Sequence, residues 1–161
     1  MAQAHSLKEV FDYFKNRQLV TIFFFGIASG FPWVMTGSAM SGWLKDEGLS
    51  RSSIGLFGLI FAAYSINFLW SPLTDRIKIW LLHSTLGQRK SWIFCTQLII
   101  VAATLALGYM DAKQHLPLMA LFALFITLAG STQDIAIDAY RIDSLSDKNS
   151  SAMAAGSAMA T

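Results

Sequence analysis

The stretch "LPLMALFALFITLAGSTQDIAIDAYRID", Leu116 to Asp143, changes character at one point. From Gln114 through Gln133 there is no Asp, Glu, Lys or Arg, and then Asp134, Asp138, Arg141 and Asp143 follow in quick succession. An uncharged helix of about 20 residues, rising about 1.5 Å per residue, matches the roughly 30 Å hydrocarbon thickness of a bilayer. The abrupt return of charge then marks the membrane edge.

The rest of the chain repeats the pattern. Three further uncharged runs are Gln18 to Leu44, Ser52 to Thr74 and Ser91 to Met110, with 27, 23 and 20 residues. All are long enough to cross. The chain is 54% hydrophobic and 14% charged, against about 25% charged in an ordinary soluble domain. The reading is an all-α membrane protein, with spans at about 19–43, 52–73, 91–110 and 117–138. The small, uncharged residues from about 150 to 161 read as the start of a fifth span.

The cations orient these spans. Lys8, Lys15, Arg17, Arg76, Lys78, Arg89, Lys90, Arg141 and Lys148 fall on one side, and Lys45, Arg51 and Lys113 on the other. Positive residues accumulate on the cytoplasmic side, so the N-terminus and the loop from Asp75 to Lys90 are expected there. The net charge of +2 follows from this asymmetry. No basic stripe interleaved with aromatics lies outside the spans, so nucleic acid is not an expected partner; membrane lipid is.

Residues 1–18 form a separate segment. Leu7, Val10, Phe11 and Phe14 recur at helical spacing among Lys8, Glu9, Asp12 and Lys15, as in an amphipathic helix at the inner surface or a helical extension of the first span. Cys95 is the single cysteine, so no internal disulfide exists. His5, His83 and His115 lie apart, in different termini or loops, so no metal site is expected. The first span carries Gly26, Gly30, Gly37 and Gly42. Gly26 and Gly30 have the small-xxx-small spacing that lets helices approach, and Pro32 should kink or loosen the helix. Trp43, Trp70, Trp80 and Trp92 fall near membrane boundaries, as an aromatic belt does.

Four motifs recur in a recognisable order: "GIASGFPWVMTGSAMSGWLKDEGLS" (26–50), "FLWSPLTDR" (68–76), "LGQRKSW" (86–92) and "STQDIAIDAYRID" (131–143). The Asp75-Arg76 loop followed by glycine and basic residues resembles the signature of the major facilitator superfamily. The set together, from about Asp12 to Asp143, is similar to the AmpG-type muropeptide permeases, and more loosely to the related acetyl-coenzyme A transporters. Ser71 stands where the general superfamily loop begins with glycine. That family has twelve or more spans, so residues 19–161 look like the N-terminal part of a major facilitator-type bundle.

The resemblance implies an inner-membrane secondary transporter, importing anhydro-muropeptides with protons for cell-wall recycling, without a cofactor and not an enzyme. A chain of this length would be inactive alone and would need the further C-terminal helices, supplied for example as a separate fragment. The alternative is a four-span scaffold or regulatory remnant without transport activity.

The residues themselves leave several readings of the charged segment open. Ser131, Asp134, Asp138 and Arg141 step by three, four and three and share one helix face, which should look into protein or water. Asp138 and Arg141 can pair at i,i+3. Asp134 lies roughly 25 Å along the helix from Pro117, near the inner edge of the hydrocarbon. In a gating reading, Asp134, Asp138 and Arg141 pair with Asp75, Arg76 and neighbouring helices, and Arg141 is a natural partner for Asp75. In a coupling reading, Asp134 carries protons or senses substrate. In an enzyme reading, Asp134, Asp138 and Asp143 hold Mg²⁺ and diphosphate as in membrane prenyltransferases. Arg141 among the carboxylates, Asp143 off the shared face and the lack of a second aspartate-rich set speak against that last reading. Trp33, Tyr64, Asn67, Gln133 and Tyr140 are the candidate substrate-cavity residues.

Overall fold

In the computed structural model, residues 17–60 and 62–145 are described. Residues 1–16 of the expected amphipathic segment, and the expected fifth span from about 150, lie outside them. Among the described residues every regular element is helical.

The first span begins as α1, Arg17–Val34. It widens into a π-helical turn, Met35–Ala39, and resumes as α2, Met40–Asp46. The widening follows Pro32 directly. Proline has no N–H to donate and its ring crowds the preceding turn. Within the widened turn Thr36 Oγ1 donates to the Pro32 carbonyl at 2.7 Å. Helix α2 stops at Gly48, whose φ of 78° is left-handed and favours glycine. There Leu49 N bonds to Leu44 O at 3.1 Å and Gly48 N to Lys45 O at 2.9 Å, the pair of reversed bonds that ties off a helix end.

The second span is less regular. It comprises α3, Arg51–Ile60, and α4, Ala62–Ser65, then a 3₁₀ turn, Asn67–Leu69. Residues Ser71–Arg76 form a separate short helix, α5. A proline disfavours helical geometry in the residue before it yet is tolerated in a first turn, and Pro72 occupies such a position in α5. A short α6, Trp80–Leu86, crosses the loop. The third span is α7, Gln88–Gly108, and the fourth is α8, Leu116–Leu145. Gly87, at φ 78°, caps α7.

Among the described residues, four helices are long and apolar enough to cross a membrane: Leu19–Asp46, Arg51–Leu69, Gln88–Gly108 and Leu116–Ser144. Helix α8 is the centre of the bundle. It packs most extensively against α7 and also touches α1, α3, α4 and α5. Two apolar clusters hold it. One joins Met40, Leu44, Phe57, Leu107, Met119 and Ile126 at the end bearing the Gly48 turn. The other joins Ile93, Ala136 and Ile137, with Phe25, Trp92 and Tyr140 against them, at the opposite end. At Gly30 and Gly42 an added Cβ would have nothing within 4 Å. At Gly130 of α8, by contrast, a Cβ would lie 2.5 Å from Tyr64 Oη and 2.8 Å from Pro32 Cβ, a close helix approach.

Candidate functional site

The polar residues of α8 do not act as one strip. Ser131 is fully buried and its hydroxyl turns back onto its own helix, donating to Leu128 O at 3.1 Å. Asp134, half-buried, accepts a hydrogen bond from the hydroxyl of Ser29 on α1. A carboxylate placed within a membrane span is costly unless it faces protein or water, and Ser29 supplies a donor across the helix interface. One turn further out, Tyr64 and Pro32 close on Gly130. Tyr64 meets Trp33 edge to face, with ring centroids 5.4 Å apart. The structure therefore brings Asp134, Tyr64 and Trp33 together with two residues that the sequence pattern did not single out, Ser29 and Gly130. Their signal was present: Ser29 and Trp33 are four apart on α1, and Gly130 is four before Asp134, so each pair shares a helix face.

Asp138 and Arg141 form the i,i+3 ion pair that their spacing suggests, at 3.0 Å. The partner expected for Asp75 is different. Asp75 pairs with Arg89, not Arg141. Arg89 also reaches Asp143 at 3.2 Å, so one guanidinium at the start of span three joins the loop after span two to the end of span four. Arg141 is engaged one turn back on its own helix, whereas Arg89 stands between the two carboxylates. Gln88 reinforces this junction by donating to Thr74 O at 3.0 Å and also to Asp75 O. Trp92 Nε1 donates to Ile77 O at 3.0 Å. Arg76 is exposed and makes no ion pair among the described residues.

The three aspartates of α8 turn to separate partners: Ser29 for Asp134, Arg141 for Asp138 and Arg89 for Asp143. They do not converge as the ligands of one cation would. Of the remaining cavity candidates, Tyr140 packs elsewhere, edge to face with Phe25 at 5.6 Å and beneath Lys90 Nζ at 5.5 Å. Gln133 is fully buried, and neither amide atom has a hydrogen-bond partner among the described residues. Asn67 sits in the 3₁₀ turn of span two. Next to that turn, Trp70 Nε1 donates to Thr132 Oγ1 of α8 at 3.2 Å, so Trp70 ties two spans together as well as marking a boundary.

Three long apolar helices packed on a fourth, central span that carries an internal carboxylate are the architecture of a multi-pass membrane protein. A sequence model of the family described as Acetyl-coenzyme A transporter 1 matches residues 18–160, and the chain belongs to that family. It is also similar to proteins named as AmpG transporters or permeases. The Rickettsia bellii (strain RML369-C) transporter AmpG 1 is 36% identical over 141 residues, covering 88% of this chain and 34% of that protein. The anhydromuropeptide permease of Escherichia coli (strain K12) is 33% identical over 132 residues, covering 82% and 26%. The Rickettsia felis (strain ATCC VR-1525 / URRWXCal2) transporter AmpG 4 is 37% identical over 130 residues, covering 81% and 31%. The chain thus spans about a third or less of the length of these relatives, which carry transporter names and not enzyme names.

Proposed function

We propose that this chain is the N-terminal part of a proton-coupled secondary transporter of the major facilitator type, importing anhydro-muropeptides across the bacterial inner membrane. The N-terminus and the Asp75 to Lys90 loop are cytoplasmic, as the cation asymmetry favours. The observation that carries the reading is the Ser29–Asp134 bond, an ionisable group inside a span whose partner lies on a different helix. A carboxylate so placed can exchange a proton and, in doing so, make or release a contact between two helices. Two-state elements of that kind couple a gradient to alternating access. Asp138 with Arg141, and Asp75 with Arg89 and Asp143, form the gate at the cytoplasmic end, with Arg76 exposed beside it. Trp33, Tyr64 and Asn67 line the substrate path.

Transporters of this kind hold substrate between two helical halves, so the chain is expected to act with further helices, not alone. The test is uptake of labelled anhydro-muropeptide by cells lacking their own permease. The chain alone should give no uptake. The chain with a complementary C-terminal part should give uptake, abolished in Asp134→Asn. Uptake by the chain alone, or no uptake by the complemented pair, would overturn the proposal; full uptake with Asp134→Asn would overturn the coupling role.

A further inference from the structure

Helices α1 and α7 both pack on α8, and a groove of about 300 Å³ remains between them. Its walls are Phe25 and Ala28 of α1 and Ile93 and Phe94 of α7, with Lys90 and Gln97 on the same lining. Lys90, Ile93, Phe94 and Gln97 follow the i, i+3, i+4, i+7 spacing of one helix face. Lys90 stands in the first turn of α7, at the inner mouth, and Gln97 lies about 10 Å deeper. On α1, Arg17 and Ala28 are eleven residues apart and line up after three turns, so Arg17 flanks the same mouth from the other side.

Both cations are exposed, and neither is in an ion pair among the described residues. The Lys90 ammonium is held over the Tyr140 ring, 5.5 Å from its centre. We propose that this groove holds one anionic phospholipid, such as phosphatidylglycerol: an acyl chain lies along Phe25, Ile93 and Phe94, and the phosphate meets Lys90, with Arg17 beside the headgroup. This goes beyond the transport reading and needs only that the helices cross a bilayer.

Charge and size select this occupant. The carboxylates nearest the mouth on α8, Asp138 and Asp143, are held by Arg141 and Arg89, which leaves the two free cations as a local positive excess. Basic pockets between spans on the cytoplasmic side suit anionic headgroups, and each lysine or arginine near the surface adds to the attraction. A zwitterionic head would bring its own ammonium against these cations. Two turns of a helix about 10 Å across fill roughly 800 Å³, so a further helix could lie over the groove but not enter it, whereas an acyl chain can enter.

The test is native mass spectrometry of the purified chain released from detergent, titrated with dioleoyl phosphatidylglycerol, dioleoyl phosphatidylcholine and soluble glycerol phosphate. Phosphatidylglycerol should bind at least about fivefold more tightly than phosphatidylcholine. Lys90→Gln and Arg17→Gln should each weaken it about fivefold, the scale of one cation near the surface, and leave phosphatidylcholine unchanged. Lys90→Arg should bind as the parent does, as should Lys113→Gln at the opposite end of the bundle. Gln97→Leu should not weaken binding, because the acyl chain beside it carries no polar group. A phosphatidylglycerol with a photoreactive diazirine in its acyl chain should label the peptides containing Phe25 and Phe94. Equal affinity for the two lipids, unchanged binding in both Gln variants, displacement by glycerol phosphate, or labelling confined to other peptides would each overturn the site. So would loss of the Phe25 and Phe94 labelling when the complementary C-terminal part is present, which would make the groove the seat of a further helix. The uptake experiment is independent of these outcomes, so the transport reading stands or falls separately.

Discussion

Replacing Gly130 by alanine adds one methyl group where α8 closely approaches Pro32 of α1 and Tyr64. That Cβ would lie 2.5 Å from Tyr64 Oη and 2.8 Å from Pro32 Cβ, with Pro32 Cγ at 3.2 Å. The tyrosine hydroxyl is the end of a movable side chain, but the proline ring is fixed to the backbone of α1 and cannot rotate away. Overpacking of this kind costs about 1–3 kcal/mol. Alanine also gains about 0.8–1 kcal/mol over glycine in a helix interior, so the net change should run from near zero to about 2 kcal/mol of destabilisation. Gly30→Ala isolates the propensity gain, because nothing lies within 4 Å of its added Cβ. The two variants should therefore differ by about 1–3 kcal/mol. At about 2–4 °C per kcal/mol for a chain of this size, their melting temperatures should stand roughly 2–12 °C apart, with Gly130→Ala the lower. The measurement is thermal unfolding of the purified protein in detergent micelles, followed by tryptophan fluorescence. Equal shifts in the same direction would refute the argument that α1 and α8 meet at Gly130.

The Arg89 junction is solvent-accessible, with Asp75 and Asp143 side chains 55% and 59% exposed, so its strength is modest. A double-mutant cycle of Arg89→Gln and Asp143→Asn should give a coupling of about 0.2–1 kcal/mol that shrinks in high salt; zero coupling at low ionic strength would rule the bridge out as a fastening. Gly87→Ala places a side chain at φ 78°, ψ 169°, a region essentially reserved for glycine, and should lower stability by about 1–3 kcal/mol, read from the same melts; an unchanged melt would show that the glycine cap is dispensable. Ser84→Cys, at an exposed position in α6, should react with a membrane-impermeant maleimide only after cells are permeabilised. Labelling of intact cells would reverse the proposed orientation.

The all-α class and the four spans could be read from the sequence because they depend on local properties. An uncharged run of sufficient length has few options in lipid, where backbone groups must bond within their own segment. The burst of charge after Gln133 is legible for the same reason, as is the Asp138–Arg141 pair, since i,i+3 spacing puts both on one face whatever surrounds the helix. Partner choice between helices is another matter. Periodicity tells which residues share a face, but not how a neighbouring helix is rotated or how far it slides. Asp134 meets Ser29 across 105 positions of sequence, and Asp75 meets Arg89 in place of Arg141. Gly30 of the first span has open space beside it, whereas a close approach falls at Gly130, where the Pro32 ring and the Tyr64 hydroxyl meet α8. Only the packed arrangement of spans one, two and four decides which side chains those are, because rigid neighbours leave room for a backbone contact at one level and for a carboxylate at the next.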